Sequence, residues 1–259
     1  MRLIDREIVG ENRLKRLCGH TELSSILRDR PATEQLFSWL SETFNGDMFP
    51  PSSVKNTPAG SQLVRVADFL EAVNPKSGQQ SFFPYQFDVI PVELISSIYE
   101  QFAHAEPRAE SRVNARRSTE ALRNDVHYTR LSLVSLVLDE VMDGLTGQES
   151  MLDLTCGSGV FLVEALRRLV HLRAGGKPLT RELIRSTLYG QVYGVDISEA
   201  AVRVAASSLY LAALELDPDP QPPHSLKFQP LIGKTLLIGD AHNVEQSDEG
   251  RSVLTARPA

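Results

Sequence analysis

Cysteine is nearly absent from these 259 residues: only Cys18 and Cys156 occur, and they form no Cys-x-x-Cys pair. That excludes a disulfide framework and a cysteine zinc site, and it fits a reducing, cytoplasmic compartment. The six histidines are scattered without ligand spacing, so no metal site is expected. No run of about 18 apolar residues occurs, which excludes a membrane-spanning helix. The opening Met-Arg-Leu-Ile-Asp-Arg-Glu is charged and has no apolar signal core. Positive charge is in deficit, with 27 Lys and Arg against 33 Asp and Glu and a net charge of −6. A nucleic-acid partner would therefore need a local basic patch, because the overall balance gives no attraction to phosphate. No internal repeat is evident.

What remains is ordinary globular material, 42% apolar, enough for one large or two small domains. Residues 1 to about 45 read as helical, with Leu23, Ile26, Leu27 and then Leu36, Phe37, Leu40 at helical spacing and Pro31 opening the second run. Loops are expected over 44–51 and 74–80, and a short helix over Leu63–Val73. A helix is expected from Pro91 to Phe102, its Ile95, Ile98, Tyr99 and Phe102 stripe facing a core. Residues 104–125, with five arginines, read as a solvated linker. An apolar helix over Leu131–Met142 then leads into alternating elements: strand 151–155, helix 160–172, helix 179–188, strand 192–196, helix 198–214, a Pro-rich loop over 217–223 and strand 236–240. That alternation predicts an α/β fold with a parallel sheet.

The chemistry concentrates in Met151-Leu-Asp-Leu-Thr-Cys-Gly-Ser-Gly-Val-Phe161, an apolar strand ending in an acid, a Gly-Ser-Gly turn and an immediate helix. Such turns bind nucleotide-like ligands in open α/β sheets. Gly157 and Gly159 let a ligand approach the main chain closely. The turn lacks Gly-x-Gly-x-x-Gly spacing and a following Gly-Lys-Ser/Thr, so neither the dinucleotide nor the P-loop signature fits. Three acids, Asp153, Asp196 and Asp240, end three successive predicted strands, and in a parallel sheet they would face one crevice. The first could take a ligand's amino group. The second could accept from both ribose hydroxyls, because a carboxylate has two oxygens at matching separation. The third could accept from an adenine amine, while the turn's amides and the helix N-terminus hold a carboxylate. S-adenosylmethionine carries all of these groups and is the expected cofactor. Simpler readings exist: Asp196 could serve the N-cap region of the helix near Ser198, and both roles can coexist. Gly-Asp240 is also a common turn, and Cys156 is a small residue filling a tight bend.

The same residues resemble adenine-specific DNA methyltransferases of the restriction–modification type, which modify the exocyclic amine. Asp153–Phe161 is similar to their cofactor loop, Gly194-Val-Asp-Ile-Ser198 to their second motif and Ile238-Gly-Asp-Ala241 to their third. Upstream, Asp88–Phe102 and His127-Tyr-Thr129 resemble the helical region before the methylase core of large single-chain methylase/restriction enzymes. The likeness spans roughly residues 44–245 with its motifs in order. It implies an incomplete, doubly wound, Rossmann-like methyltransferase core over 126–259, preceded by a helical region with linker over 1–125. It implies that Tyr128 and Thr129 border the methionine end, and that Asp153, Cys156, Gly157, Ser158 and Gly159 form the loop, with Phe161 packing beneath. Asp196 would bind the ribose, Ile197 flank the adenine, and Asp240 with Ala241 meet the adenine edge.

Two departures stand out. Arg130 occupies a position where the family usually has proline, and the catalytic Asn/Asp-Pro-Pro-Tyr/Phe loop, which grips the flipped base, is not found. Asp217-Pro-Asp-Pro220 precedes the third strand and has no aromatic after it. The expectation is therefore the N-terminal portion of a longer enzyme, carrying the cofactor site without catalytic residues and meeting double-stranded DNA through regions mostly outside this chain. An RNA or protein methyltransferase with the same core, or a decayed interaction subunit of a phage-defence assembly, are the alternatives.

Overall fold

A computed structural model describes residues 10–44, 60–71, 79, 92, 99, 129–219 and 227–241. The chain divides into two compact units, one taking residues 1–91 and 220–229, the other 92–219 and 230–259.

The described part of the first unit contains four helices: α1 (Glu11–Cys18), α2 (Leu23–Arg28), α3 (Arg30–Thr43) and α4 (Gly60–Leu70). Local chemistry explains how the helical stretch expected over residues 1 to about 45 is divided. Gly19 closes α1 in the left-handed conformation, φ 77°, a role that suits a residue without Cβ. The Asp29 carboxylate then accepts from the Ala32 amide at the start of α3, where Pro31 costs no hydrogen bond. Leu27, Leu63 and Ala67 form a small core with Leu23 and Leu70 packed against it. Arg28 of α2 meets Asp68 at 2.9 Å and Glu71 at 2.7 Å, pinning α4 alongside. The helix expected over Leu63–Val73 thus begins three residues early and ends at Leu70.

The second unit is α/β. Strands β1 (Met151–Asp153), β2 (Val192–Asp196) and β3 (Leu236–Ile238) form a parallel sheet in the order β1-β2-β3. Helices α5 (Leu131–Val141), α6 (Val160–Ala174), α7 (Arg181–Gly190) and α8 (Glu199–Leu216) connect and cover it. α6 packs on β1, β2 and α8, while α8 also lies on β3. The core is apolar and closely fitted: Leu162, Leu166, Leu169, Leu188, Val192, Leu209 and Leu236 are all buried. Tyr210 is fully buried and its hydroxyl accepts from the Leu231 amide at 3.0 Å, which fixes the approach to β3.

Several boundaries differ from the sequence reading by one to two residues, and three of them have a clear local reason. β1 stops at Asp153 because the Thr155 amide turns back to that residue's own carboxylate at 3.0 Å, an Asx turn that takes the chain off the ladder. The helix expected over 179–188 is shifted to Arg181–Gly190 by Thr180, which caps it by accepting from Leu183 at 3.2 Å. β3 ends at Ile238, and Gly239–Asp240 form a bend. The helix expected over 91–102 lies outside the described residues apart from Val92 and Tyr99, which are both helical. The linker over 104–125 lies outside them entirely. No described helix is long and apolar enough to cross a membrane.

Candidate functional site

The glycine turn is built by three backbone constraints. The Cys156 amide donates to the carbonyl of Val195 at 2.9 Å, tying the turn to β2. Gly157 has φ 52° and Gly159 φ 87°, and the Gly159 amide donates to the carbonyl of Cys156 at 2.8 Å. α6 starts at once, with Gly159 as its N-cap and no side chain capping its amides. At Gly159 the glycine is required by space as well as by φ. A Cβ there would sit 2.8 Å from the Cβ of Ala205 and 3.0 Å from its Cα, so the turn rests directly on α8. Gly194 in mid-β2 plays a matching part, since its Cβ would fall 2.6 Å from Leu162 Cδ1 and 3.0 Å from Cys156 Sγ.

Asp196, at the end of β2, is the hub. Its Oδ2 accepts from the Gly157 amide at 2.9 Å, and its Oδ1 accepts from the Ser198 amide at 2.8 Å. Its backbone carbonyl accepts from the Gly239 amide at 2.9 Å, one residue before Asp240. One residue therefore holds together the glycine turn, the start of α8 and the bend after β3. The N-cap expectation for this region is met by Ser198, whose hydroxyl accepts from Ala201 at 3.3 Å. A carboxylate offers about four acceptor positions, so two remain on Asp196 beyond those used by the amides.

Asp153, half-buried beside this hub, is held above the ordinary carboxylate range, first by desolvation and then by the negative charge of Asp196; the Thr155 amide opposes the shift. Two acids with this relation form an environment that favours a cation. The Cys156 thiol is buried and strongly raised by that burial and then by the same two acids, so it stays protonated and is no nucleophile. Apolar side chains rim the carboxyl ends of the strands: Leu154 after β1, Ile197 after β2 at 76% exposure, and Ile238 closing β3.

The structure thus brings Asp153, Cys156, Gly157, Ser158, Gly159, Asp196, Ile197, Asp240 and Ala241 to the carboxyl edge of one sheet, as parallel pairing of β1, β2 and β3 requires. Ser158 is buried, Asp240 exposed, and Phe161 half-buried on the first turn of α6. Thr129 lies just before α5, and Tyr128 lies outside the described residues. Arg130 N-caps α5 with φ −61°, the angle a proline would impose, so this departure from the family pattern leaves the backbone as proline would set it. The sequence reading missed what the backbone of Asp196 does and why Gly194 is there; a glycine in the middle of a strand was the available signal. Among the described residues no group of His, Cys, Asp and Glu could hold a metal ion. A cavity of about 580 Å³ lined by Pro31, Glu34, Trp39 and Glu42 belongs to the other unit.

No protein-family model matches the chain. Over 66 residues it is 42% identical to the adenine-specific methyltransferase PglX of Streptomyces coelicolor (strain ATCC BAA-471 / A3(2) / M145), a match covering 25% of this chain and 5% of that protein. Among solved structures it is similar to a nuclease-deletion mutant of the Type ISP restriction–modification enzyme LlaGI in complex with a DNA substrate mimic. That similarity has 13% identity and a TM-score of 0.38, and covers 96% of this chain and 22% of the other. The chain spans a small part of the length of either protein.

Proposed function

We propose that the second unit is the S-adenosylmethionine-binding part of a Rossmann-like methyltransferase core, belonging to a restriction–modification or phage-defence enzyme that methylates the exocyclic amine of adenine in DNA. The observation that carries this reading is the Asp196 hub, which fastens the three acid-bearing turns to one another at the strands' carboxyl edge. The local match to an adenine-specific methyltransferase supports the choice of acceptor.

Each residue then has a task. Asp153, uncomfortable as an anion without a partner, faces the ligand's ammonium and sulfonium end. The open amides at the start of α6 and the helix dipole suit the ligand's carboxylate. The two acceptor positions left on Asp196 match the two ribose hydroxyls, and Ile197 and Ile238 give the adenine ring an apolar bed. Asp240 and Ala241 follow β3, where the adenine edge would lie, and Thr129 with Tyr128 would border the methionine end. The donor supplies a sulfonium methyl for direct displacement, so the protein's contribution is positioning rather than covalent catalysis. The acceptor-gripping Asn/Asp-Pro-Pro-Tyr/Phe loop does not occur in the sequence.

Titration calorimetry of the chain with S-adenosylhomocysteine tests the reading. A saturable one-to-one heat that is abolished by Asp196→Ala is expected. No binding by the unaltered chain sinks the proposal. Methyl transfer to adenine-containing duplex DNA by these 259 residues alone would overturn the narrower claim that they hold the donor and not the acceptor.

A further inference from the structure

Tyr99 belongs by its sequence pattern to an apolar stripe, and a core-facing aromatic needs no hydroxyl. Yet its hydroxyl lies 3.4 Å from the Ser198 hydroxyl, 99 residues along the chain and within the same compact unit. Ser198 is no ordinary surface serine. Its hydroxyl caps α8 through Ala201, and its amide is one of the two donors that orient the Asp196 carboxylate. The other donor is Gly157 of the glycine turn. A continuous line of polar contacts therefore runs from Tyr99 through Ser198 and Asp196 to Gly157.

We infer that Tyr99 is a positioning residue for the ligand crevice, acting through Ser198 to set the direction in which Asp196 presents its remaining acceptor positions. The inference rests on the S-adenosylmethionine reading above and adds to it a contribution from a segment far upstream of the sheet. The physical basis is geometric. The Ser198 amide and hydroxyl belong to one residue, so restraining the hydroxyl restrains the amide that holds Oδ1. Rotation of the carboxylate about its own axis then becomes costly, because Oδ2 is already held by Gly157. At 3.4 Å the phenol–serine contact is longer than a full hydroxyl hydrogen bond, which sets the expected effect at a few-fold rather than orders of magnitude.

The test uses the full chain and the variants Tyr99→Phe, Ser198→Ala and the two combined. Phenylalanine keeps the ring and its packing, so a role in packing alone predicts no change. The expected results are a loss of about three- to tenfold in affinity for S-adenosylhomocysteine in Tyr99→Phe, and faster hydrogen exchange at the Gly157 and Ser198 amides in the ligand-free protein. In the Ser198→Ala background the Tyr99 substitution should add nothing, because the line is already cut. Unchanged affinity and unchanged exchange in Tyr99→Phe, with normal binding by the parent chain, would overturn the inference and leave the cofactor reading intact. An equal loss in the Ser198→Ala background would also overturn it, since Tyr99 would then act by another route. Absence of binding by the parent chain would remove the cofactor reading and this inference with it.

Discussion

Asp153 shows how a single side chain can be placed against its own stability. Burial raises its pKa, and the charge of Asp196 raises it further. The folded state therefore keeps a proton that the unfolded chain has already released, so stability falls as pH rises from the ordinary aspartate value, about 3.9, through the raised one. Wherever it is ionised in the folded chain, this carboxylate is a net cost to the fold. Asparagine can still accept from the Thr155 amide and cannot ionise, so Asp153→Asn should melt higher than the parent at pH 7 in the absence of ligand. The gain should shrink as pH falls through the raised value towards the ordinary one, about 3.9, which thermal melts across that descent would follow. Binding should move the opposite way: the same variant should lose about tenfold or more in affinity for S-adenosylmethionine, whose ammonium and sulfonium need the anion. A variant that gains stability without losing affinity would show that Asp153 does not face the ligand. The acid was legible in the sequence as the last residue of an apolar run. Its strained state was not, because that depends first on burial by tertiary packing and then on Asp196 arriving from 43 positions away.

At the level of elements, the strand–turn–helix order was readable because apolar runs, glycines and caps act locally. The predicted strand Val192–Asp196 coincides with β2, where no side-chain turn competes with the ladder. β1 is shorter than its apolar run because Asp153 competes for the Thr155 amide, a contest that periodicity does not register. The packing of the glycine turn on α8 was also out of reach of pattern reading, since Ala205 is one of many small residues in that helix. It nevertheless decides what the turn tolerates. Gly159 and Gly175 flank α6 and both have positive φ, 87° and 55°. A Cβ at Gly175 would meet nothing within 4 Å, whereas at Gly159 it would strike Ala205. Gly175→Ala should therefore cost only backbone strain, about 1 kcal/mol. Gly159→Ala should cost about 2–4 kcal/mol, strain plus overpacking against a backbone that cannot yield. Denaturant melts of the two variants would separate the terms, and equal costs would mean that the turn and α8 are not in contact in solution.

The molecule as a whole is two units with separate cores, and the chain passes between them more than once. It leaves α8 of the second unit at Leu216, contributes residues 220–229 to the first, and returns for β3. In that excursion the Phe228 amide donates to the Phe44 carbonyl at 2.8 Å, so a segment next to the sheet in sequence is held by the helical unit instead. Sequence reading saw the Pro-rich loop over 217–223, of which 217–219 are described, but could not pair Phe228 with Phe44, because a partner so distant in the chain is set by tertiary packing. Every candidate ligand residue in the described part of the chain belongs to the second unit. Ligand binding free energy should therefore appear in that unit alone. At a hundredfold excess over its dissociation constant, S-adenosylhomocysteine should stabilise the unit that binds it by about 2.7 kcal/mol. For a domain of this size that is a rise on the order of 5–10 °C. Differential scanning calorimetry should show one transition moving by that amount and one staying in place. Two transitions that move together would mean that the helical unit takes part in the site, and the cofactor-binding residues would then have to be sought in both.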